Sequence, residues 1–148
     1  DYTVSNPEKR VLDKRVSAVF ILRKDGAALL QHRDDKPGLV HPGKWTIPGG
    51  HLDQNESPES CAKREVFEEC NYQCGELKFI TRFENHDGDF EPYELSLYCT
   101  RFDPKQESQI ICREGQELRF VKREAADSIP VLRFLLPHWD AALVWLDA

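Results

Sequence analysis

The sequence predicts a single α/β domain, and three observations support this. Strand and helix signals alternate along the chain. Its 148 residues, 40% of them hydrophobic, are enough to build one core. No composition shift, long linker or internal repeat marks a second unit. The domain is expected over residues 16–148, behind a polar segment at 1–15.

The elements follow in order. Val16 to Arg23 is a β-branched and aromatic run, Asp25-Gly26 is a strong turn signal, and Ala27 to His32 returns as the hairpin partner. Pro37 to Lys44 reads as a loop. Ser57 is suited to cap a helix by accepting from the free amides of its first turn, and Pro58 suits the first helical position, where a missing N–H costs nothing. That helix is expected over 57–71: no breaker interrupts it, and Asn71 tolerates the left-handed conformation that ends helices. Leu77 to Phe83 reads as a strand and His86-Asp87-Gly88-Asp89 as a turn. Tyr93 to Phe102 is a strand with Tyr93, Leu95, Leu97 and Cys99 on one face. Leu118 to Val121 is the next strand, and Glu124 to Ser128 a short helical turn. Val131 to Leu146 is expected to close the fold as a helix, with Leu135, Leu136, Trp139, Leu143 and Leu146 on one side.

The 57–71 helix carries an anomaly. At roughly 100° per residue, Glu65, Glu68 and Glu69 fan over about 100° of arc and share a face. Like charges three or four apart cost a helix roughly 0.2–0.5 kcal/mol per pair, so the cluster calls for an offset. Lys63 and Arg64 as counterions on a solvated face are one answer. A bound cation is the other, and the flanking residues favour it. Pro48, Gly49 and Gly50 precede the helix, and paired glycines let backbone approach a ligand and leave carbonyl oxygens accessible. Carboxylates with a free carbonyl make a hard-oxygen site suited to Mg²⁺ or Mn²⁺ rather than zinc.

Gly50, five residues, Glu56, seven residues, then Arg64-Glu65-Val66-Phe67-Glu68-Glu69-Cys70-Asn71-Tyr72 resembles the Nudix box of the Nudix (MutT-like) hydrolases. With each fixed residue type found at roughly one position in fifteen, a chance match of six is about one in ten million at a given start. One position departs: the family has Gly where this chain has Asn71. Leu29-Leu30-Gln31-His32-Arg33 and Trp45-Thr46-Ile47-Pro48-Gly49-Gly50 resemble the family's second strand and its approach to the helix, so the likeness covers most of the chain.

The resemblance implies an α/β/α sandwich, a mixed sheet between helices, with the box as a loop–helix–loop at its edge. It also implies roles. Glu65, Glu68 and Glu69 bind divalent metal, joined by the Gly49 carbonyl; Arg64 orients a carboxylate; Glu56 supports the box or adds a metal contact. A later glutamate binds metal or takes the proton from water. Arg113-Glu114-Gly115-Gln116 resembles the corresponding loop of the 8-oxo-dGTP-hydrolysing branch, which makes Glu114 the first choice, Glu117 the second, and Glu91 or Glu94 the remainder. The reaction implied is hydrolysis of a nucleoside diphosphate linked to a group X, assisted by Mg²⁺ or Mn²⁺.

Charge and composition narrow the partners. Residues 1–50 carry nine Lys/Arg against six Asp/Glu and residues 51–148 eleven against twenty, so the net −6 comes from the part holding the acidic helix. That balance argues against a nucleic-acid groove and suits a small-molecule nucleotide screened by bound cations, with Arg33 and Lys36 as its basic contacts. The five histidines show no metal-site spacing for zinc. Five cysteines without a C-x-x-C pair suit reduced thiols and a cytoplasmic setting. Residues 1–15 lack the apolar stretch of a signal peptide, and no run reaches the length of a membrane span. A start at Asp1 instead of Met suggests excision from a longer chain. Trp145 and Leu146 either close the core or face a second copy, which leaves a homodimer open.

X is less legible. The 8-oxoguanine-specific branch reads its base with an Asn near the last helix, and Ser128-Ile129-Pro130-Val131-Leu132-Arg133-Phe134 contains none. Asp34 to Gly38 and the aromatics Trp45, Phe83 and Tyr98 are candidates for a base or sugar pocket. A nucleoside triphosphate or modified dNTP ranks above a nucleotide sugar or ADP-ribose. A catalytically silent nucleotide-binding or interaction module is the rival of another class.

Overall fold

A computed structural model describes residues 12–87 and 91–148. Most of the polar amino-terminal segment, and Gly88-Asp89 of the turn expected at 86–89, therefore lie outside the described residues.

Strand β1 (Arg15–Leu22) is the spine of the sheet. Its alternation sends Ala18, Phe20 and Leu22 into one apolar cluster and Val19 and Ile21 into another, so both faces are buried. The Asp25-Gly26 turn forms as expected: Asp25 accepts from the Ala27 amide at 3.1 Å, and Gly26 has φ of 89°. The hairpin it starts is short, however. Strand β2 (Ala28–His32) pairs with β1 only at Leu22↔Ala28 before the two diverge.

Two short strands fill the resulting gap: β3 (Trp45–Thr46) pairs with the end of β2, and β4 (Gly49–His51) with the start of β1. The Val19 amide donates to Pro48 O at 3.0 Å and seals the junction. This wedge carries Gly49 and Gly50 into the middle of the fold.

Helix α1 (Pro58–Cys70) has the expected ends. Ser57 Oγ accepts from the Ser60 amide at 3.1 Å, Pro58 opens the helix, and Asn71 closes it with φ 57° and ψ 31°. Such a cap contributes about 1 kcal/mol. Ala62, Val66 and Cys70 pack with Val19, Ile21 and Leu29.

Beyond α1, β5 (Lys78–Asn85) runs antiparallel to β6 (Tyr93–Arg101), and β6 lies parallel to β1 along its whole length. Tyr93, Leu95, Leu97 and Cys99 share the face expected of them. A 3₁₀ turn at Pro104–Gln109, capped by Asp103 and opened by Pro104 much as Ser57 and Pro58 start α1, leads to β7 (Glu117–Val121), paired along the outer edge of β2.

Helix α2 (Leu136–Leu146) covers the other face: Leu136, Trp139 and Ala142 pack with Phe20 and Leu97, while Leu143 and Leu146 lie at the margin. It begins five residues later than expected, and the cause is local. Trp45 N donates to Pro130 O and Leu132 N to Trp45 O, so residues 130–132 are held extended beside β3. A 3₁₀ turn at Arg133–Leu135 and Pro137 in the first turn of α2 then start the helix. With α1 and α2 on opposite faces of a mixed sheet, the architecture is the α/β/α sandwich. No helix among the described residues is long and apolar enough to cross a membrane.

Candidate active site

Where β1 and β2 part, a cleft of about 460 Å³ opens. One end is acidic, with Glu65, Glu69 and Glu114 beside Gly49 and Gly50. The lining also has an apolar and aromatic wall, with Val40, Tyr93, Leu132 and Phe134.

The acids on α1 face different surroundings. Glu68 is the outermost, with its side chain 55% exposed, while Glu65 is 16% exposed and Glu69 is buried at 4%. Arg64 gathers the outer group. It donates to Glu56 at 2.7 and 2.9 Å, to Glu65 at 2.7 Å, to Glu68 at 3.1 Å and to the His51 carbonyl at 3.0 Å. Its guanidinium holds the Glu56 carboxyl down to about 2, helped by the Asp53 amide. The sequence left two answers to the repulsion, basic counterions or a metal; in this part of the cluster Arg64 supplies the counter-charge.

Glu69 has no such help. Its Oε1 accepts from the Gly49 amide at 3.3 Å and from Gln31 Nε2 at 3.4 Å, both neutral donors, while Glu114 and Glu65 crowd it with negative charge. Burial first, then the Glu114 charge and the hydrogen bond with Glu65, push its carboxyl up to about 9. Among the described residues no cationic side chain pairs with it. The glycines let β4 pack closely against β1 and α1: a Cβ on Gly50 would collide with Glu65 Oε1, and one on Gly49 with the Ser17 carbonyl.

Glu114 arrives from a distant stretch of chain by docking onto the end of α1. The last carbonyls of a helix lack intrahelical partners. Here Ile111 N donates to Cys70 O at 3.0 Å and Arg113 N to Glu69 O at 2.9 Å. Gly115, with φ of 86°, then lies against the His32 carbonyl with no room for a side chain. Gln116 N bonds the same carbonyl at 2.7 Å, and Gln31 Nε2 bonds Glu114 O at 3.2 Å.

The fold thus brings Gly49, Glu65, Glu69, Glu114 and Arg33 to one cleft, with Glu56, Arg64 and Glu68 in a network at its rim. Arg33 Nε is engaged with Val40 O at 2.8 Å. Lys36 stays outside, contrary to expectation. Bonds from Arg33 N to Lys44 O and from Gly43 N to Asp34 O close the base of its loop, and Lys36 is carried to the exposed tip. Asp34 to Gly38 do not line the cleft either. Of the reserve acids, Glu91 lines it, Glu117 pairs with Arg119 on β7, and Glu94 lies 3.9 Å from Arg82.

The aromatics chosen from sequence are elsewhere. Trp45 stacks on His32, Phe83 on His138, and Tyr98 meets Phe79 edge-on. Tyr93 and Phe134 take their place in the wall, and Gln31, also missed, braces the floor. Tyr93 was legible as in phase with Leu95, but not as lying past the point where the core ends.

The donor set suits a hard divalent cation: buried carboxylate oxygen without a counter-charge, beside accessible glycine backbone. Arg64 engages Glu65 and Glu68, and among the described residues no three Asp, Glu, His or Cys side chains form a group that could hold one unaided.

Comparison with known proteins agrees with this geometry. A model of the NUDIX domain matches residues 12–143. Diphosphoinositol polyphosphate phosphohydrolase 2 of Mus musculus is 30% identical over 93 residues, 63% of this chain and 50% of that protein, so the match spans about half the relative's length. A mutT/nudix family protein from Listeria innocua superposes with a TM-score of 0.74 at 20% identity, covering 93% of this chain and 96% of that one. A C. elegans Ap4A hydrolase superposes with a TM-score of 0.66 at 19% identity, covering 90% and 98%. These structures share the fold, and the domain match extends over nearly all the described residues: the chain belongs to the Nudix hydrolase family.

Proposed function

We propose that this single domain hydrolyses a nucleoside diphosphate linked to a group X, with a nucleoside triphosphate or modified dNTP as substrate and Mg²⁺ or Mn²⁺ as cofactor. The observation that carries the proposal is Glu69: a buried acid beside Glu65 and Glu114 in the cleft, which takes hydrogen bonds from the neutral Gly49 amide and Gln31 and has no cationic partner among the described residues. A carboxyl so placed is costly to ionise unless a cation joins it.

Glu65, Glu68, Glu69 and the Gly49 carbonyl are the residues that would hold the metal. Bound there, it supplies Lewis-acid polarisation of the phosphoryl oxygens and a water of lowered pKa. The remaining roles fall to the chain. Arg64 orients Glu65 and Glu68, and Glu56 fixes Arg64 from behind. Glu114 accepts the proton of the attacking water, and Arg33 offers positive charge at the cleft for a phosphate.

The wall of Val40, Tyr93, Leu132 and Phe134 supports a flat, largely apolar base as a group bound in the same cleft as the acids. An inositol polyphosphate, the substrate class in the relative's name, needs many cations. Among the described residues the cleft lining offers two Lys/Arg, Lys14 and Arg33, against five Asp/Glu. Nucleotide sugars and ADP-ribose present the same diphosphate and form the second reading. Five free cysteines among the described residues and a freely diffusing nucleotide substrate support a cytoplasmic setting.

A panel of nucleoside triphosphates, modified dNTPs, nucleotide sugars, dinucleoside polyphosphates and inositol pyrophosphates, with Mg²⁺ and products identified by mass, tests the proposal. Release of a nucleoside monophosphate and pyrophosphate from a triphosphate is expected. Turnover confined to inositol pyrophosphates, or none with any compound, would overturn it.

A further inference from the structure

Asn71 is the one box position where this chain departs from the resembled pattern, and its side chain is fully engaged. A glycine would make the same left-handed turn at lower conformational cost. The Asn amide does something glycine cannot: Nδ2 donates to Gln109 O at 2.9 Å, and Oδ1 accepts from Arg113 Nη2 at 2.8 Å. Arg113 in turn donates through Nη1 to Phe67 O at 3.3 Å and lays its guanidinium 5.7 Å from the Phe67 ring. One side chain thereby ties both the start and the middle of the 109–116 loop to the end of α1.

We infer that Asn71 and Arg113 form a clamp that positions Glu114 against Glu69. The inference rests on the proposed role of Glu114 in the cleft and extends it to residues that do not touch substrate. The geometry is direct. Arg113 precedes Glu114, its own amide is bonded to Glu69 O, and its side chain is fixed at three points on Phe67 and Asn71. Without the clamp the loop keeps its two backbone bonds to α1 and its Gly115 contact with His32, so it stays near the site but loses its aim.

The test uses Asn71→Gly, which preserves the turn, and Arg113→Met, which preserves the cap and most of the stem over Phe67. Both are made in the wild-type chain and in Glu114→Gln. Two readouts are taken: amide hydrogen exchange at Ile111 and Arg113, and steady-state hydrolysis of a nucleoside triphosphate with Mg²⁺. Both substitutions should speed exchange at those amides. In the wild-type background each should lower kcat by about tenfold to a hundredfold with KM changed less than about twofold, as loss of aim does. In the Glu114→Gln background neither should lower kcat further, because the group being aimed is gone.

Unchanged exchange in both variants would overturn the clamp. Equal kcat losses in the two backgrounds would overturn its action through Glu114. A wild-type chain that hydrolyses no nucleotide would sink the proposed function instead, and the exchange measurement would still decide whether the clamp exists.

Discussion

The amide of Gly49 donates to Glu69 Oε1 at 3.3 Å, joining the wedge strand β4 to the last turn of α1. Because an amide can donate to a carboxyl in either protonation state, the bond holds Glu69 in place without paying the electrostatic cost of its charge. That cost is left to a cation, and the behaviour of the metal-free protein should reveal it.

In chelator, Glu69 is a carboxyl whose folded pKa, about 9, lies above its ordinary 4.5. The native state then binds more protons than the unfolded state between these values. Its contribution to stability is full below about pH 4.5 and is lost as pH rises toward about 9. Glu69→Gln, which is neutral throughout, should be the more stable protein near pH 8 and should lose that advantage near pH 4. Chelator-treated thermal unfolding across pH checks this, and parallel curves for the two proteins would contradict it.

Arg64 predicts the opposite slope. It holds the Glu56 carboxyl at about 2, a contribution present above about pH 4.5 and lost as pH falls toward 2. Arg64→Met should cost about 1.5–3 kcal/mol at neutral pH, the range for hydrogen bonds to charged groups, with little of it from the exposed Glu68 pair. The deficit should shrink in acid. Asp25, held low by Arg23, titrates in the same window, so the difference between the two proteins is the quantity to follow. Urea unfolding at several pH values measures it.

Among the later glutamates, Glu114→Gln should cut Mg²⁺-dependent turnover by about a hundredfold or more, in the range for general-base loss. Glu117→Gln, on β7 beside Arg119, should leave turnover within about twofold, as expected for an exposed ion pair outside the cleft. Initial rates on the same substrate rank the two, and the reverse order would move the base.

Much of this was legible in the sequence because it is local. Ser57, Pro58 and Asn71 bound α1 by chemistry that acts within one turn, and the fan of Glu65, Glu68 and Glu69 follows from helix periodicity alone. Two kinds of feature were not legible. Strands of two and three residues such as β3 and β4 are too short to show a period, so the wedge that aims Gly49 at α1 emerges only when β1 and β2 are seen to part. The second kind depends on where the core stops. Tyr93 and Phe134 carry the same pattern as core residues and become the cleft wall only because the chain leaves a gap beside them. Spacing placed Arg64 among the acids but could not say that it would bind Glu56, Glu65 and Glu68 and leave Glu69 without a counter-charge among the described residues.

The most direct measurement is the anomalous scattering of crystals soaked in Mn²⁺ with a non-cleavable nucleoside triphosphate analogue. Manganese peaks against Glu65, Glu69 and the Gly49 carbonyl, bridging to the analogue's phosphates, are the predicted result. A cleft holding the analogue with no manganese, and Glu65 and Glu68 still closed on Arg64, would contradict the account.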